Sequence, residues 1–217
     1  LVAMGPAAVA PLGGLLADEE SDAQGRALDV LVTLCAQACE DAFTRLVRPE
    51  LVPLLIRART GSYGDERDIS AETVLADIGE AAVRPLVAEL DKATWVEGVL
   101  VDIGATAVAA VSEELANSEP AIRYRALGVL LSLHERGEVA AGAVLNQSDM
   151  VPVLIEARSA GLEEERNAEV LRVLAEIGEP AEITLIEAVL SENPGVTLDD
   201  MASVVGLGGK ACYSRIC

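Results

Sequence analysis

Aromatic residues and lysine are scarce in this chain of 217 residues. It has one Trp, three Tyr and one Phe, and Lys92 and Lys210 are the lysines among its 16 basic residues. Any interior must therefore be built mainly from Ala, Val and Leu, which suits helices packed closely against helices. A hydrophobic content of 51% is ample for a core of this kind.

Positive charge is scarce as well, because 36 acidic residues leave the chain with a net charge of −20. Nucleic-acid binding depends on Lys and Arg displacing counterions from phosphates, and few aromatic rings are present to stack on bases. The sequence therefore argues against a nucleic-acid partner. An acid excess with so little lysine resembles proteins of extreme halophiles, where about 1 M salt shortens the Debye length to roughly 3 Å.

Long uncharged stretches are also missing, since no run of about 18 residues lacks a charged side chain. The apolar opening at residues 1–17 follows no positively charged segment, and its pattern recurs inside the chain, so we do not interpret it as a signal peptide. We expect a cytoplasmic protein without a membrane span.

A short motif recurs along the chain, with the shared pattern L-x-x-I/M-G-x-x-A-V-x-x-L. It begins at residues 1, 75, 100 and 174, and an incomplete copy occupies residues 204–217. Gly5 and Gly104 lie 99 residues apart, as do Gly79 and Gly178, so a longer unit is also repeated. The sequence predicts two tandem units, 1–99 and 100–198, and a terminal repeat at 199–217, within a single domain.

The motif predicts two helices joined by a tight turn. Apolar residues with helical spacing precede the glycine, and a second apolar stripe follows it. Gly79, Gly104 and Gly178 are predicted to end the first helix in the left-handed conformation, which costs little only without a Cβ.

This motif resembles the HEAT repeat, and most closely the HEAT-like repeats of phycobilisome lyases. The resemblance implies an all-α fold, a right-handed α–α superhelix, and it spans nearly the whole chain. It leaves function open among scaffolds, adaptors, lyases and hydroxylases. Because no polar capping repeat is recognised at either end, we expect a segment of a longer solenoid.

The repeat register predicts the helices. First helices are expected at 21–36, 65–78, 94–103, 119–135, 163–177 and 198–207. Second helices are expected at 6–17, 49–60, 80–91, 105–117, 148–159, 179–191 and 209–217. The joints 37–48 and 136–147 are each expected to hold a short extra helix.

Candidates for metal or cofactor chemistry are few. Cys35 and Cys39 share a face of a predicted helix and are interpreted as small buried side chains in a reducing compartment. His134 and Glu135 form a pair like those that bind iron in deoxyhypusine hydroxylase, but one histidine cannot build that site, so we expect His134 to cap helix carbonyls. No cofactor or metal is predicted.

The alternative functions suggested by the resemblance lack their chemistry. A lyase-like protein that handles chromophores needs aromatic or basic groups around one pocket, whereas the aromatic residues are scattered over different repeats: Phe43, Tyr63, Trp95, Tyr124 and Tyr213. A DNA-binding protein like the HEAT-fold glycosylases needs a basic stripe, which the sequence does not show.

Arginines recur at equivalent positions of the two units. Arg26 and Arg125, and Arg67 and Arg166, are expected to bind carboxylates of neighbouring repeats. Structural roles are also predicted for Arg59 and Arg158, which replace the Leu or Val of other second helices. Each should snorkel or pair with an acid in the following loop.

The resemblance places second helices on the concave side of the stack, and the charged residues off their apolar stripes form the candidate binding surface. These residues are Arg57, Glu80, Arg84, Glu113, Glu156, Glu179 and Glu187. Since the surface is mainly acidic, the sequence predicts a non-catalytic scaffold that binds a basic or amphipathic protein segment. The alternative is a lyase-like protein that handles a chromophore or cofactor.

Overall fold

The computed structural model describes residues 7–16, 21–37, 39–60, 65–160 and 164–190, together with residues 202 and 204. Helices dominate these residues, and no strand occurs among them, so the fold is all-α as predicted. The chain divides into two compact units, Leu1–Ala110 and Val111–Cys217. The predicted helices at 198–207 and 209–217 lie outside the described residues, except that residues 202 and 204 are helical.

The first unit consists of paired helices. They are α1 (Val9–Leu15), α2 (Ser21–Ala36), α3 (Glu40–Leu46), α4 (Val52–Thr60), α5 (Asp65–Ile78), α6 (Glu80–Val87) and α7 (Trp95–Ile103). A 3₁₀ turn at Gly104–Ala107 leads into α8 (Val108–Glu113), which contains the boundary between the units.

The second unit repeats this order. After a 3₁₀ turn at Glu114–Ala116 it contains α9 (Pro120–Glu135), α10 (Val139–Leu145), α11 (Val151–Ser159), α12 (Glu164–Ile177) and α13 (Glu179–Leu190). The short helices expected in the two joints are α3 and α10.

Equivalent helices of the two units begin and end 99 residues apart. This displacement relates α2 to α9, α3 to α10, α4 to α11 and α5 to α12 at both ends. Pro53 and Pro152 occupy the second helical position of α4 and α11, where a missing N–H costs nothing. The sequence register therefore determines where these helices start and stop.

Several expected helices are shorter in the structure. The segment 6–17 contains α1 at Val9–Leu15, and 3₁₀ turns at Pro49–Leu51 and Ser148–Met150 precede α4 and α11. The segment 105–117 is α8 with 3₁₀ turns on either side, and α6 ends at Val87 rather than residue 91. Beyond Val87 the backbone tightens into i→i+3 bonds, with Glu89 N–H donating to Leu86 C=O and Leu90 N–H to Val87 C=O.

In each unit the helices pack in two layers. In the first unit α5 contacts α2 and α7, while α6 contacts α4 and the Gly104–Ala107 turn. In the second unit α9 contacts α12, and α11 contacts α13. First helices thus lie beside first helices, and second helices beside second helices.

The core of each unit is aliphatic, as the composition predicts. Positions 99 residues apart are buried in both units, and the pairs include Leu31 and Leu130, Leu34 and Leu133, Leu46 and Leu145, Leu55 and Leu154, Leu75 and Leu174, and Leu86 and Leu185. The largest fully buried side chains are all leucines. Repeated leucines therefore supply most of the hydrophobic stabilisation.

The glycines between paired helices have positive φ, but Gly79 and Gly104 are not in the left-handed helical region that we expected. Gly79 has φ 69° and ψ −131°, and Gly104 has φ 81° and ψ −142°. Gly178 has φ 77°. The first two lie in the mirror image of the extended region, which residues with a Cβ essentially avoid. The expectation was right about φ and wrong about ψ.

One described segment, Trp95–Ala116, is long and apolar enough to cross a membrane by length and composition alone. In the structure the positive φ of Gly104 interrupts it, and 44% of its apolar 18-residue window is buried inside the protein.

Replacement of Gly79 tests the turn geometry. No atom lies within 4 Å of a Cβ added at Gly79, so the penalty of Gly79→Ala is purely conformational. We expect it to lower the free energy of unfolding by about 1–3 kcal/mol, measured by urea titration with circular dichroism. Gly79→Asn should cost as much, because Asn tolerates the left-handed helical region but not a ψ near that of Gly79.

The matched control is Gly98→Ala, in the exposed interior of α7, where an added Cβ also meets nothing within 4 Å. It should stabilise the protein by about 0.5–1 kcal/mol, since alanine is the better helix former. Wild-type stability of Gly79→Asn would contradict the turn geometry.

Candidate functional site

The residues predicted to bind a partner are all exposed. In the first unit Arg57 lies on α4, while Glu80 and Arg84 lie one turn apart on α6. In the second unit Glu156 lies on α11, and Glu179 and Glu187 on α13. Glu113 ends α8. The second helices therefore carry these charges on solvent-facing positions.

An open groove lies between α6 and the segment 106–110. Its volume is about 670 Å³, and its lining residues are Ile78, Glu80, Ala81, Val83, Arg84, Thr106, Ala109 and Ala110. The floor is made of small and aliphatic side chains, and two of the predicted residues supply charge. We call this the α6 groove. It is large enough to receive several side chains of a partner.

Glu156 is engaged inside the second unit rather than free for a partner. Its Oε1 accepts hydrogen bonds from Arg123 Nη2 at 2.7 Å and from the Tyr124 hydroxyl at 3.1 Å, both on α9. Arg123 Nη1 also donates to the carbonyls of Asn117 and Ser118. Burial and the bond to Glu156 raise the pKa of Tyr124 above its ordinary value of 10.0. Glu156 therefore links α11 to α9.

Arg59 also binds within its unit. Its Nε donates to Glu72 Oε1 at 2.5 Å, and its Nη1 lies 3.2 Å from Asp68 Oδ2. Its guanidinium lies 5.4 Å from the ring centroid of Trp95. Pairing with acids was predicted, but these acids belong to α5 and not to the loop before it. Asp68 is only 8% exposed, so the arginine compensates a buried carboxylate.

The second unit retains the arginine of this cluster and lacks its acids. Arg158 is equivalent to Arg59, but Asn167 and Leu171 stand where the first unit has Asp68 and Glu72. Arg158 is half-buried. The two arginines therefore occupy equivalent positions, but the two acids that Arg59 binds are replaced by uncharged residues in the second unit.

The paired arginines of the first helices differ in their surroundings. Arg26 is exposed, whereas Arg125 and Arg166 are half-buried. The guanidinium of Arg166 lies against Gly128 of α9, where an added Cβ would come within 2.6 Å of Nη1. The side chain of Arg67 lies outside the described residues.

His134 faces carboxylates rather than helix carbonyls, which corrects our expectation. Its Nε2 lies 3.4 Å from Glu176 Oε2 and 4.0 Å from Glu169 Oε1, both on α12. Gly142 of α10 leaves room for the ring, since an added Cβ would lie 2.9 Å from Nδ1. Within the described ranges, no group of three or more His, Cys, Asp or Glu side chains is arranged to hold a metal ion.

Cys35 and Cys39 do not share a helix, because α2 ends at Ala36 and Cys39 precedes α3. Both are half-buried free thiols. Burial, reinforced by the proximity of Cys39, raises the pKa of Cys35 from 9.0 to about 12. Cys35 therefore stays a neutral thiol at physiological pH.

The described aromatic residues lie apart from the α6 groove. Trp95 contacts Arg59, Tyr124 binds Glu156, and Phe43 lies half-buried on α3. Tyr63 and Tyr213 lie outside the described residues. No aromatic side chain lines the α6 groove.

A second cleft went unnoticed in the sequence. It lies between α1 and α3, has a volume of about 420 Å³, and is lined by Val9, Ala10, Asp41, Thr44, Arg45 and Arg48. We call it the α3 cleft. A comparison of the two units could have found it, because the equivalent residues Ala140, Ala143, Val144 and Gln147 are all uncharged.

No known protein-family model, curated protein or solved structure matches the chain.

The Arg59 cluster can be tested by transplanting the second unit's residues. Arg59→Met should lower the free energy of unfolding by about 3 kcal/mol, because it removes the guanidinium that binds the buried carboxylate of Asp68 and that of Glu72. In the background Asp68→Asn, Glu72→Leu, the same change should cost less than about 1 kcal/mol, since the two carboxylates that Arg59 binds are absent. Equal losses in the two backgrounds, measured by urea unfolding, would show that the ion pairs are unimportant.

The protonation of Cys35 is measurable by alkylation. In a variant with Cys39, Cys212 and Cys217 replaced by serine, only the thiolate of Cys35 reacts. Since burial is the main cause of its raised pKa, we expect the alkylation rate to keep rising through pH 10. The urea-unfolded protein is the control and should reach half of its maximal rate near the ordinary pKa of 9.0, well below the folded protein. A half-maximal rate near pH 9.0 in the folded protein would contradict this assignment.

Proposed function

We propose that this chain is a non-catalytic interaction scaffold of the HEAT type. Its helix pairs would form a right-handed α–α superhelix, and the second helices would line the concave surface that binds a partner protein. The recurring motif and the two-layer packing within each unit support this assignment. Each repeat in such a stack covers the apolar face of its neighbour and exposes a long surface for binding.

The α6 groove is the observation that carries the proposal. Second helices pack beside one another there, and the small side chains of Ala81, Ala109 and Ala110 leave space above them. Glu80 is exposed at this groove and pairs with no described residue. Its carboxylate is thus available to a cation from outside.

The charge of the chain supports the class of partner. With a net charge of −20, the protein attracts basic segments and repels acidic ones, which speeds association and selects among partners. We propose a basic or amphipathic segment of a cytoplasmic protein, in a cell whose salt concentration makes so acidic a surface tolerable. Salt screening would then set the strength of binding.

The proposal is tested with peptides selected on the purified protein by display and labelled for fluorescence anisotropy. Ala109→Arg fills the α6 groove and should weaken the selected peptides at least tenfold, because their side chains lose the space that alanine leaves. Ala105→Arg is the matched control, since it adds the same charge at an exposed position of the adjoining turn outside the groove, and it should bind like the wild type.

A second test reverses the charge of the exposed Glu80. Glu80→Lys should weaken basic peptides and reduce the salt dependence of binding. Glu156→Lys is unsuitable for this purpose because it breaks the bonds to Arg123 and Tyr124. Peptides unaffected by Ala109→Arg would exclude the α6 groove, and visible absorbance of a bound chromophore in the purified protein would favour the lyase-like alternative.

A further inference from the structure

The α3 cleft concentrates positive charge in a chain that has little of it. Arg45 lies in the last turn of α3 and Arg48 lies two residues after the helix ends, and both line this cleft. No described acid lies within ion-pair distance of either. Other arginines are engaged, such as Arg59 with Glu72, Arg123 with Glu156 and Arg172 with Glu169. Arg26 and Arg57 also pair with no described acid, but each lies outside the cleft. The exception is that two such arginines line one cleft.

The second unit shows that the fold does not require these residues. Its α10 has the same bounds as α3, displaced by 99 residues, and it packs against α9 as α3 packs against α2. It does so with Ala140, Ala143, Val144 and Gln147 in place of Asp41, Thr44, Arg45 and Arg48. The charged side chains of α3 are thus an addition to a helix that forms without them.

Helix α1 packs against the side chain of Arg45 and restricts its position. The stem of Arg45 lies against Gly13 of α1, where an added Cβ would lie 3.5 Å from Cδ and 3.9 Å from Nε. Val9 of the same helix is buried and forms an apolar wall. Thr44 lines the cleft and donates its hydroxyl proton to Glu40 C=O, which leaves its oxygen free to accept a hydrogen bond. The cleft thus offers guanidinium donors beside an apolar surface.

The net charge of the α3 cleft favours a singly charged anion as its ligand. Arg45 and Arg48 contribute two positive charges, and Asp41 on the same wall contributes one negative charge. A singly charged anion neutralises the cleft, whereas a dianion leaves an excess that Asp41 and the net charge of the chain both oppose. A guanidinium matches the two oxygens of a carboxylate with two parallel hydrogen bonds.

We propose that the α3 cleft is a carboxylate-binding site in which Arg45 and Arg48 hold the anion and Asp41 rejects dianions. The carboxylate belongs either to a small organic acid or to the C-terminus of a peptide, and both present the same group to the cleft. The site is separate from the α6 groove, and it stands whether or not the groove binds a partner.

The direct measurement is the NMR shift of arginine Nε–Hε groups during titration with propionate, at about 0.1 M salt. We expect saturable shifts of two such signals and little response to phenyl phosphate, a phosphate monoester that carries close to two charges at neutral pH. A tetrapeptide with a free C-terminus, compared with its amidated form, distinguishes the two sources. Tighter binding of the free peptide than of propionate assigns the site to a C-terminus, and equal or weaker binding assigns it to a small acid.

Variants test the named residues. Arg45→Gln and Arg48→Gln should each weaken propionate about tenfold, since each removes charge-assisted hydrogen bonds. Arg26→Gln and Arg57→Gln are matched controls, because both arginines are exposed, lie outside the cleft and pair with no described acid. Gly13→Leu keeps both arginines but displaces the stem of Arg45, and it should also weaken binding.

Asp41→Asn is the most specific test of the role of Asp41. It should raise the affinity for the phosphate monoester at least tenfold and change the affinity for propionate much less. Absent or non-saturable shifts, equal losses in the control variants, or a phosphate-monoester affinity unaffected by Asp41→Asn would each overturn the proposal. Circular dichroism confirms that each variant is folded before titration.

Discussion

The turn at each interhelical glycine is the constraint on which the paired helices depend. Gly79 and Gly104 combine positive φ with strongly negative ψ, so the chain reverses direction within one residue. After Gly79 the second helix starts at once, and after Gly104 a 3₁₀ turn leads into it. Gly79 N–H donates to Ala76 C=O, and Ala82 N–H donates to Gly79 C=O, so the turn closes the first helix and opens the second. Without this reversal the apolar stripes of the two helices would not face one core.

Most helix boundaries could be predicted because most helices occur in two copies, so each boundary has two sequences that indicate it. A shift of 99 residues aligns prolines, glycines and buried leucines of the two units, and the structure places the ends of equivalent helices at the same shift. Two independent sequences for one helix average out local ambiguity in hydrophobic pattern. The equivalent segments 6–17 and 105–117 were both predicted too long, since α1 covers Val9–Leu15 and α8 covers Val108–Glu113.

The partners of charged side chains could not be predicted in the same way. Spacing placed Arg59 and Glu156 at positions off the apolar stripe, but it did not identify their partners. Arg59 binds Asp68 and Glu72. Glu156 binds Arg123 and Tyr124, and both sets of contacts depend on how separate helices pack. A long arginine reaches several acids, and the sequence does not say which. The ψ of Gly79 was beyond prediction for a related reason, since glycine populates every region with positive φ.

The duplication also separates residues that maintain the fold from residues that are free to bind. Leucines at equivalent positions are buried in both units, so their identity follows from packing. Residues that differ between equivalent helices have no such constraint, and α3 and α10 differ at nearly every exposed position while keeping Leu46 and Leu145 buried. Because arginines are attracted to the many carboxylates of this chain, two arginines that line one cleft without a described acid require a different explanation from those that hold helices together. An anion from solution provides one, since it replaces the carboxylate that the protein itself supplies to Arg59 and Arg123.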